Sequence, residues 1–147
     1  MYLLDTNVVS ALRRPDKGNP NVRSWAASTQ LAEMFLSSVT ILEIERGILL
    51  IERRDPAQAA ILRRWLEDHV LTDFANRIFA VDVPVARRCA ALHVPDTQSE
   101  RDAMIAATAL VHGLPVVTRN TADFITTGVT LLNPWENPVS RAPNQGA

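Results

Sequence analysis

Asp5, Glu43, Asp102 and Asp123 share one setting, close behind a short apolar run or at the opening of a helical stretch. Asp5 directly follows Tyr2-Leu3-Leu4, and Glu43 comes one turn after Met34-Phe35-Leu36-Ser37-Ser38. Asp102 opens the small-residue run Ala103-Met104-Ile105-Ala106-Ala107-Thr108-Ala109, and Asp123 follows Pro115-Val116-Val117-Thr118. If the first and fourth apolar runs are neighbouring strands, all four carboxyls converge. Facing carboxylates cannot all stay ionised without a cation. Their oxygens are the ligands that hard Mg²⁺ or Mn²⁺ prefers. The chemistry open to such a set is metal-assisted hydrolysis.

The same spacing supports a structural role. Thr40-x-x-Glu43, Ser99-x-x-Asp102 and Asn120-x-x-Asp123 each have the form of a helix capping box, in which the acid satisfies a backbone N–H and the helix dipole. Asp5, before Thr6-Asn7, can cap only the first helix. Spacing alone leaves both roles open, and they are compatible: a helix N-terminus keeps its acid ionised, the form a metal ligand needs.

The elements that must position these acids follow from periodicity and punctuation. Tyr2–Leu4 reads as a buried strand, followed by a helix through Val8–Leu12 that Thr6 or Asn7 caps and that stops before Pro15. A turn at residues 16–20 precedes an amphipathic helix over 22–30 and a second strand over 34–38. Thr40 opens a helix that continues to Arg54, and Pro56 opens another whose buried face is Ile61, Leu62, Trp65, Leu66 and Val70. A third strand at 78–81 leads into a helix from Pro84 to about His93, then the small-residue helix over 101–110, closed by Gly113. A fourth strand at 115–118, a short helical turn at 120–124 and a fifth strand at 129–132 complete the pattern. Strands alternating with helices imply one α/β domain over residues 1–136 with a mainly parallel central sheet, whose site lies beyond the carboxyl ends of the strands. The polar, proline-bearing segment 137–147 is expected to be a loose tail.

Composition narrows the class. A chain of 147 residues with 47% hydrophobic and 21% charged residues can bury its own core. Cys89 is the single cysteine, so no internal disulfide forms, and it is expected to be a buried structural thiol. The opening Met1-Tyr2-Leu3-Leu4-Asp5 has no basic region and meets an acid at once, so neither a signal peptide nor a membrane anchor is expected, and the cytoplasm is the expected compartment. A net charge of −1 argues against a generic basic nucleic-acid binder. The cations are nearly all arginine and come as pairs at 13–14, 53–54, 63–64 and 87–88, suited either to phosphate or an acidic partner or to a solvated helix face. Trp25, Trp65 and Phe74 fall at apolar helix spacing and are expected in the core, and no histidine is given a chemical role.

The opening Leu3-Leu4-Asp5-Thr6-Asn7-Val8-Val9-Ser10 resembles the first strand and catalytic aspartate of PIN-domain proteins. Three further segments agree with that family in order: residues 38–48 around Glu43, residues 102–109 behind Asp102, and Val117-Thr118-Arg119-Asn120-Thr121-Ala122-Asp123-Phe124. Within the family the compact length and the closing Leu132-Asn133-Pro134-Trp135 resemble the VapC-type and FitB-type toxins of toxin–antitoxin modules. The resemblance implies a three-layer α/β/α PIN-like domain with a mainly parallel five-stranded sheet. It implies a metal-dependent endoribonuclease using Mg²⁺, with Mn²⁺ as an alternative, held by Asp5, Glu43, Asp102 and Asp123, with Thr6, Thr118 and Asn120 as polar supporters. By register with the family, Glu43 is preferred over Glu45 and Asp102 over Glu100. It also implies an RNA substrate, a homodimer, and a cognate antitoxin whose C-terminal segment crosses the site. The apolar run Ile48-Leu49-Leu50-Ile51 is a candidate dimer or antitoxin surface.

Two other α/β classes with an aspartate after the first strand fit less well. A haloacid-dehalogenase-like phosphatase wants a second aspartate where Asn7 stands, and a response-regulator receiver wants a late lysine where the sole lysine is Lys17. The remaining alternative is a non-catalytic PIN-like binding module whose acids are helix caps.

Overall fold

The computed structural model describes residues 1–136; the tail over 137–147 lies outside the described residues. Its centre is β1 (Tyr2–Leu4), three residues long and so apolar that Leu3 and Leu4 are both fully buried. β1 pairs in parallel with β2 (Met34–Ser37) on one side and β4 (Val116–Val117) on the other. β3 (Ile78–Phe79) and β5 (Leu131–Leu132) extend the sheet to the parallel order β3-β2-β1-β4-β5. These edge strands are two residues each, shorter than the sequence suggests.

Strand side chains alternate between faces, so β1 contributes to two cores. Leu4 joins Val8, Trp25, Ile44, Ile48, Leu66, Val70 and Phe74 from α1 (Thr6–Leu12), α2 (Pro20–Ala27), α3 (Ser38–Glu52) and the segment after α4 (Pro56–Trp65). That segment runs through a π turn at Leu66–Val70 into α5 (Leu71–Asp73). Leu3 joins Val39, Ile105, Ala106, Ala109 and Phe124 on the opposite face, which carries α6 (Val83–Leu92) and α7 (Glu100–His112). The result is the three-layer α/β/α arrangement. Ala103, Ala106, Ala107 and Ala109 are all fully buried, and with no bulk beyond Cβ they let α7 lie close against the sheet. Gly113 ends α7 in the left-handed conformation that glycine adopts without penalty.

Several boundaries differ from expectation, each for a local reason. α2 starts at Pro20 rather than residue 22 because the Asn19 side chain accepts from the Asn21 N–H at 2.8 Å and Pro20 fills the first helical position. α3 is capped by Ser37, whose Oγ accepts from the Val39 N–H at 3.1 Å, so Thr40 lies inside the first turn, fully buried. Ile61 is 44% exposed rather than on the buried face of α4, and Trp65 is half-buried, while Trp25 and Phe74 are core residues. Cys89 is half-buried rather than enclosed. No helix among the described residues is long and apolar enough to cross a membrane.

From β1 the chain order runs outward in both directions, through β2 and β3 on one side and β4 and β5 on the other. This reversal opens a crevice beyond the carboxyl ends of β1 and β4, the position at which doubly wound sheets place their sites.

Candidate active site

Asp5 leaves β1 into that crevice and is itself the cap of α1, so of the capping residues the sequence offered it is Asp5, not Thr6 or Asn7, that serves. Its Oδ1 accepts the Thr6 N–H at 2.8 Å. Its Oδ2 accepts the Thr118 hydroxyl at 2.8 Å and the Asn7 amide at 3.3 Å. Burial pushes the Asp5 carboxyl above the ordinary range, opposed by the bonds from Thr118, Thr6 and Asn7 and reinforced by the charge of Asp123. A carboxylate so enclosed, yet charge-coupled to another acid, is suited to a cation.

Glu43, on α3, reaches the same crevice. Its Oε1 accepts the Thr6 hydroxyl at 3.0 Å, and its Oε2 lies 4.0 Å from Arg101 Nη1. Burial raises its pKa and the Asp5 charge adds to that, while Thr6 and Arg101 act in the opposite sense. Asp102, in the first turn of α7, is raised first by burial and then by Asp5, Asp123 and Glu43 together. Asp123 lies in the 3-10 segment Thr121–Thr127 and is exposed. Four separate chain segments thus bring their carboxyls into one electrostatically coupled group.

The capping boxes suggested by spacing do not form. Ser37, not Thr40, caps α3, and neither Ser99 nor Asn120 makes a side-chain cap bond. Glu45 accepts Arg63 on α4 through both oxygens, at 2.8 and 3.1 Å, and the charge of Glu100 acts on Cys89 of α6. Of the three polar supporters, Thr6 meets Glu43 and Thr118 meets Asp5, whereas exposed Asn120 contributes its backbone N–H, donated to Thr118 Oγ1 at 3.0 Å. Two residues near the acids were not among the sequence candidates. Asn7 carried only a capping signal, and Arg101 carried none beyond its place beside Asp102.

Among the described residues no three His, Cys, Asp or Glu side chains stand as a ready-made coordination group. Mg²⁺ makes a modest demand here, because it keeps several waters and is commonly bound through one or two carboxylates rather than an all-protein cage. An all-oxygen donor set with burial-raised, mutually repelling carboxyls fits that requirement. Beside the acids a groove of about 310 Å³ is lined by Thr6, Ser10, Arg13 and Glu43, with Ile51 and Trp65 among its apolar walls.

The PIN-domain family profile matches residues 2–128, which include all four acids. The chain belongs to the PIN-domain family. Within it, the chain groups with the VapC/FitB-like ribonuclease toxins. It is 37% identical over 143 residues to Toxin FitB of Neisseria gonorrhoeae, covering 93% of this chain and all of that one. It is 55% identical over 73 residues to Ribonuclease VapC14 of Mycobacterium tuberculosis, covering 50% of this chain and 70% of that one. A crystal structure of FitAcB from Neisseria gonorrhoeae superposes with a TM-score of 0.84 at 36% identity, over 93% of this chain and 100% of the matched chain.

Proposed function

We propose that this VapC/FitB-like PIN domain is the toxin of a toxin–antitoxin pair and a Mg²⁺- or Mn²⁺-dependent endoribonuclease, with Asp5, Glu43, Asp102 and Asp123 as its acidic site. The observation that carries this is the gathering of acids from four segments: Thr118 donates to Asp5, Thr6 donates to Glu43, and Asp102, raised first by burial, also feels Asp5, Asp123 and Glu43. Asp5, Asp102 and Asp123 would hold the divalent ion, with Glu43 binding directly or through water. When bound, that ion supplies Lewis-acid polarisation of the scissile phosphate and a lowered pKa for the attacking water.

The chain's own groups do the positioning. The Thr6 N–H, Asn7 amide and Thr118 hydroxyl fix Asp5, and the Thr6 hydroxyl and Arg101 orient Glu43. In-line hydrolysis leaves a 5′-phosphate and a 3′-hydroxyl on the RNA. The groove beside Thr6 and Glu43 offers a place for a segment of the cognate antitoxin crossing the site. Leu49 and Leu50, 51% and 54% exposed on α3, form part of the surface for a homodimer or for the antitoxin.

The test is incubation of purified, antitoxin-free protein with a structured RNA in EDTA, Mg²⁺ or Mn²⁺, beside an Asp5→Asn variant, followed by analysis of the ends. The expected result is cleavage that requires the metal, leaves 5′-phosphates and is lost in the variant. Cleavage that survives EDTA, or that yields cyclic phosphates, overturns the mechanism. Intact RNA in every condition favours the binding-module alternative.

A further inference from the structure

Asn7 sits where α1 leaves the β1 seam, and its amide bonds across that seam in three directions. Oδ1 accepts the Arg119 N–H at 3.2 Å, while Nδ2 lies 3.3 Å from Asp5 Oδ2 and 3.3 Å from Thr118 Oγ1. The orientation of the amide is determined by its partners: a backbone N–H can only donate, so the atom facing Arg119 is the oxygen and the nitrogen faces the acid. Thr118 has one hydroxyl proton, directed at Asp5 Oδ2 over 2.8 Å. Its lone pairs are therefore left for the Asn120 N–H at 3.0 Å and for Asn7.

Asp5 Oδ2 thus receives two donors that are both anchored to the turn after β4, and Oδ1 receives the Thr6 N–H. A carboxylate has about four lone-pair sites, so with two filled on Oδ2 and one on Oδ1 the remaining site on Oδ1 is aimed in a fixed direction. The turn itself is braced from the end of the described chain: the Arg119 carbonyl accepts from Asn133 Nδ2 at 3.5 Å, and the Arg119 guanidinium lies 5.5 Å from the centre of the Trp135 ring. Asn in a helical first turn has no propensity advantage over Ala, so the reason for an amide at position 7 lies in these bonds.

We propose that Asn7 is a positioning residue for hydrolysis, locking the rotation of the Asp5 carboxylate against the Thr118 hydroxyl so that Asp5 Oδ1 presents its free lone pair to the divalent ion in a fixed direction. The assignment rests on the metal-dependent function proposed above. Partners that orient a ligating carboxylate typically govern metal affinity or activity by about 10–100-fold.

The experiment compares full-length wild type, Asn7→Ala and Asn7→Asp. Mn²⁺ binding is followed by the electron paramagnetic resonance of the free ion, RNA cleavage by kcat and KM, and folding by thermal melting. Asn7→Ala is expected to melt as a folded protein, to bind Mn²⁺ about 10-fold more weakly and to lose about 10–100-fold in kcat. KM for RNA should stay within about twofold, because the lost interaction is not one with the bound substrate's ground state. Asn7→Asp is isosteric and keeps the acceptor for Arg119, but turns an oxygen toward Asp5; its kcat should fall at least as far, and it carries the test if Asn7→Ala does not fold. Wild-type-like Mn²⁺ affinity in folded Asn7→Ala, or wild-type kcat in Asn7→Asp, overturns the assignment alone. A wild-type protein that neither binds Mn²⁺ nor cleaves RNA overturns the functional proposal and this one with it.

Discussion

The two halves of the acidic site are built differently. Asp5 is buried to 6% exposure, with Oδ1 tied to the Thr6 backbone and Oδ2 to the side chains of Thr118, just after β4, and Asn7 on α1. Asp123 is exposed, and Asp102 is half-buried with its proton affinity raised by burial and by three neighbouring acids. One half is pinned by hydrogen bonds; in the other, Asp102 feels burial and the charges of its acidic neighbours. In the proposed site the pinned carboxylate would offer a fixed reference for an incoming ion, and the looser ones would complete its shell.

The largest expected effect comes from the pinned half. Asp5→Asn should reduce RNA cleavage by at least about 10³-fold, the scale seen when a central catalytic group is removed. Retention of more than a small fraction of the activity in single-turnover assays would abolish the distinction between the halves. Thr118→Val keeps shape but removes the shortest bond to Asp5 Oδ2, and is expected to lower kcat about 10–100-fold. It should also cost about 1–3 kcal/mol in urea unfolding, because Asp5 is left with a buried acceptor short of a donor.

In the looser half the loss should be smaller and recoverable. Asp123→Asn is expected to lower activity about 10-fold at limiting Mn²⁺ and to regain most of it as the metal concentration is raised. A loss that no metal concentration restores would assign Asp123 to the pinned class.

The smallest effect is on stability. Asp5, Glu43 and Asp102 all have raised pKa values, so the fold binds their protons more tightly than the unfolded chain does. Metal-free stability should therefore fall as pH rises from the ordinary carboxylate range through the raised folded values, then level off. Asp102→Asn should recover part of that loss, raising the metal-free melting temperature at neutral pH by about 2 °C and leaving it unchanged at pH values below the ordinary aspartate range. Divalent metal should invert the order at neutral pH, stabilising the wild type more than the variant. A variant melting below the wild type in EDTA at neutral pH would contradict the charge-coupled picture.

The parts of the fold legible in the sequence are those in which a local pattern and a long-range requirement coincide. Tyr2-Leu3-Leu4 had to be a buried strand because nothing polar interrupts it before Asp5, and the alanines of α7 announced close packing. The cap of α3 was not legible, since Ser37, Ser38 and Thr40 all carry hydroxyls and the end of β2 at Ser37 decides among them. Ile61 and Trp65 were placed on the buried face of α4 by spacing, yet Ile61 is 44% exposed and Trp65 is a wall of the groove beside α3. Asn7 was hidden for a deeper reason: its partner Arg119 lies 112 residues away, and only the pairing of β1 with β4 brings the two together. The proposed acids stood out because Asp5 caps α1, Asp102 and Asp123 open helical segments and Glu43 follows soon after β2, and the carboxyl ends of parallel strands gather side chains from such distant segments.

The most direct test of the account is a crystal structure of the protein grown with Mn²⁺, examined by anomalous scattering. A peak is expected between Asp5, Asp102 and Asp123 with Glu43 in contact directly or through water, and no such peak in Asp5→Asn. A peak coordinated by other residues, or none at the acids in a crystal that retains RNA-cleaving protein, would contradict it.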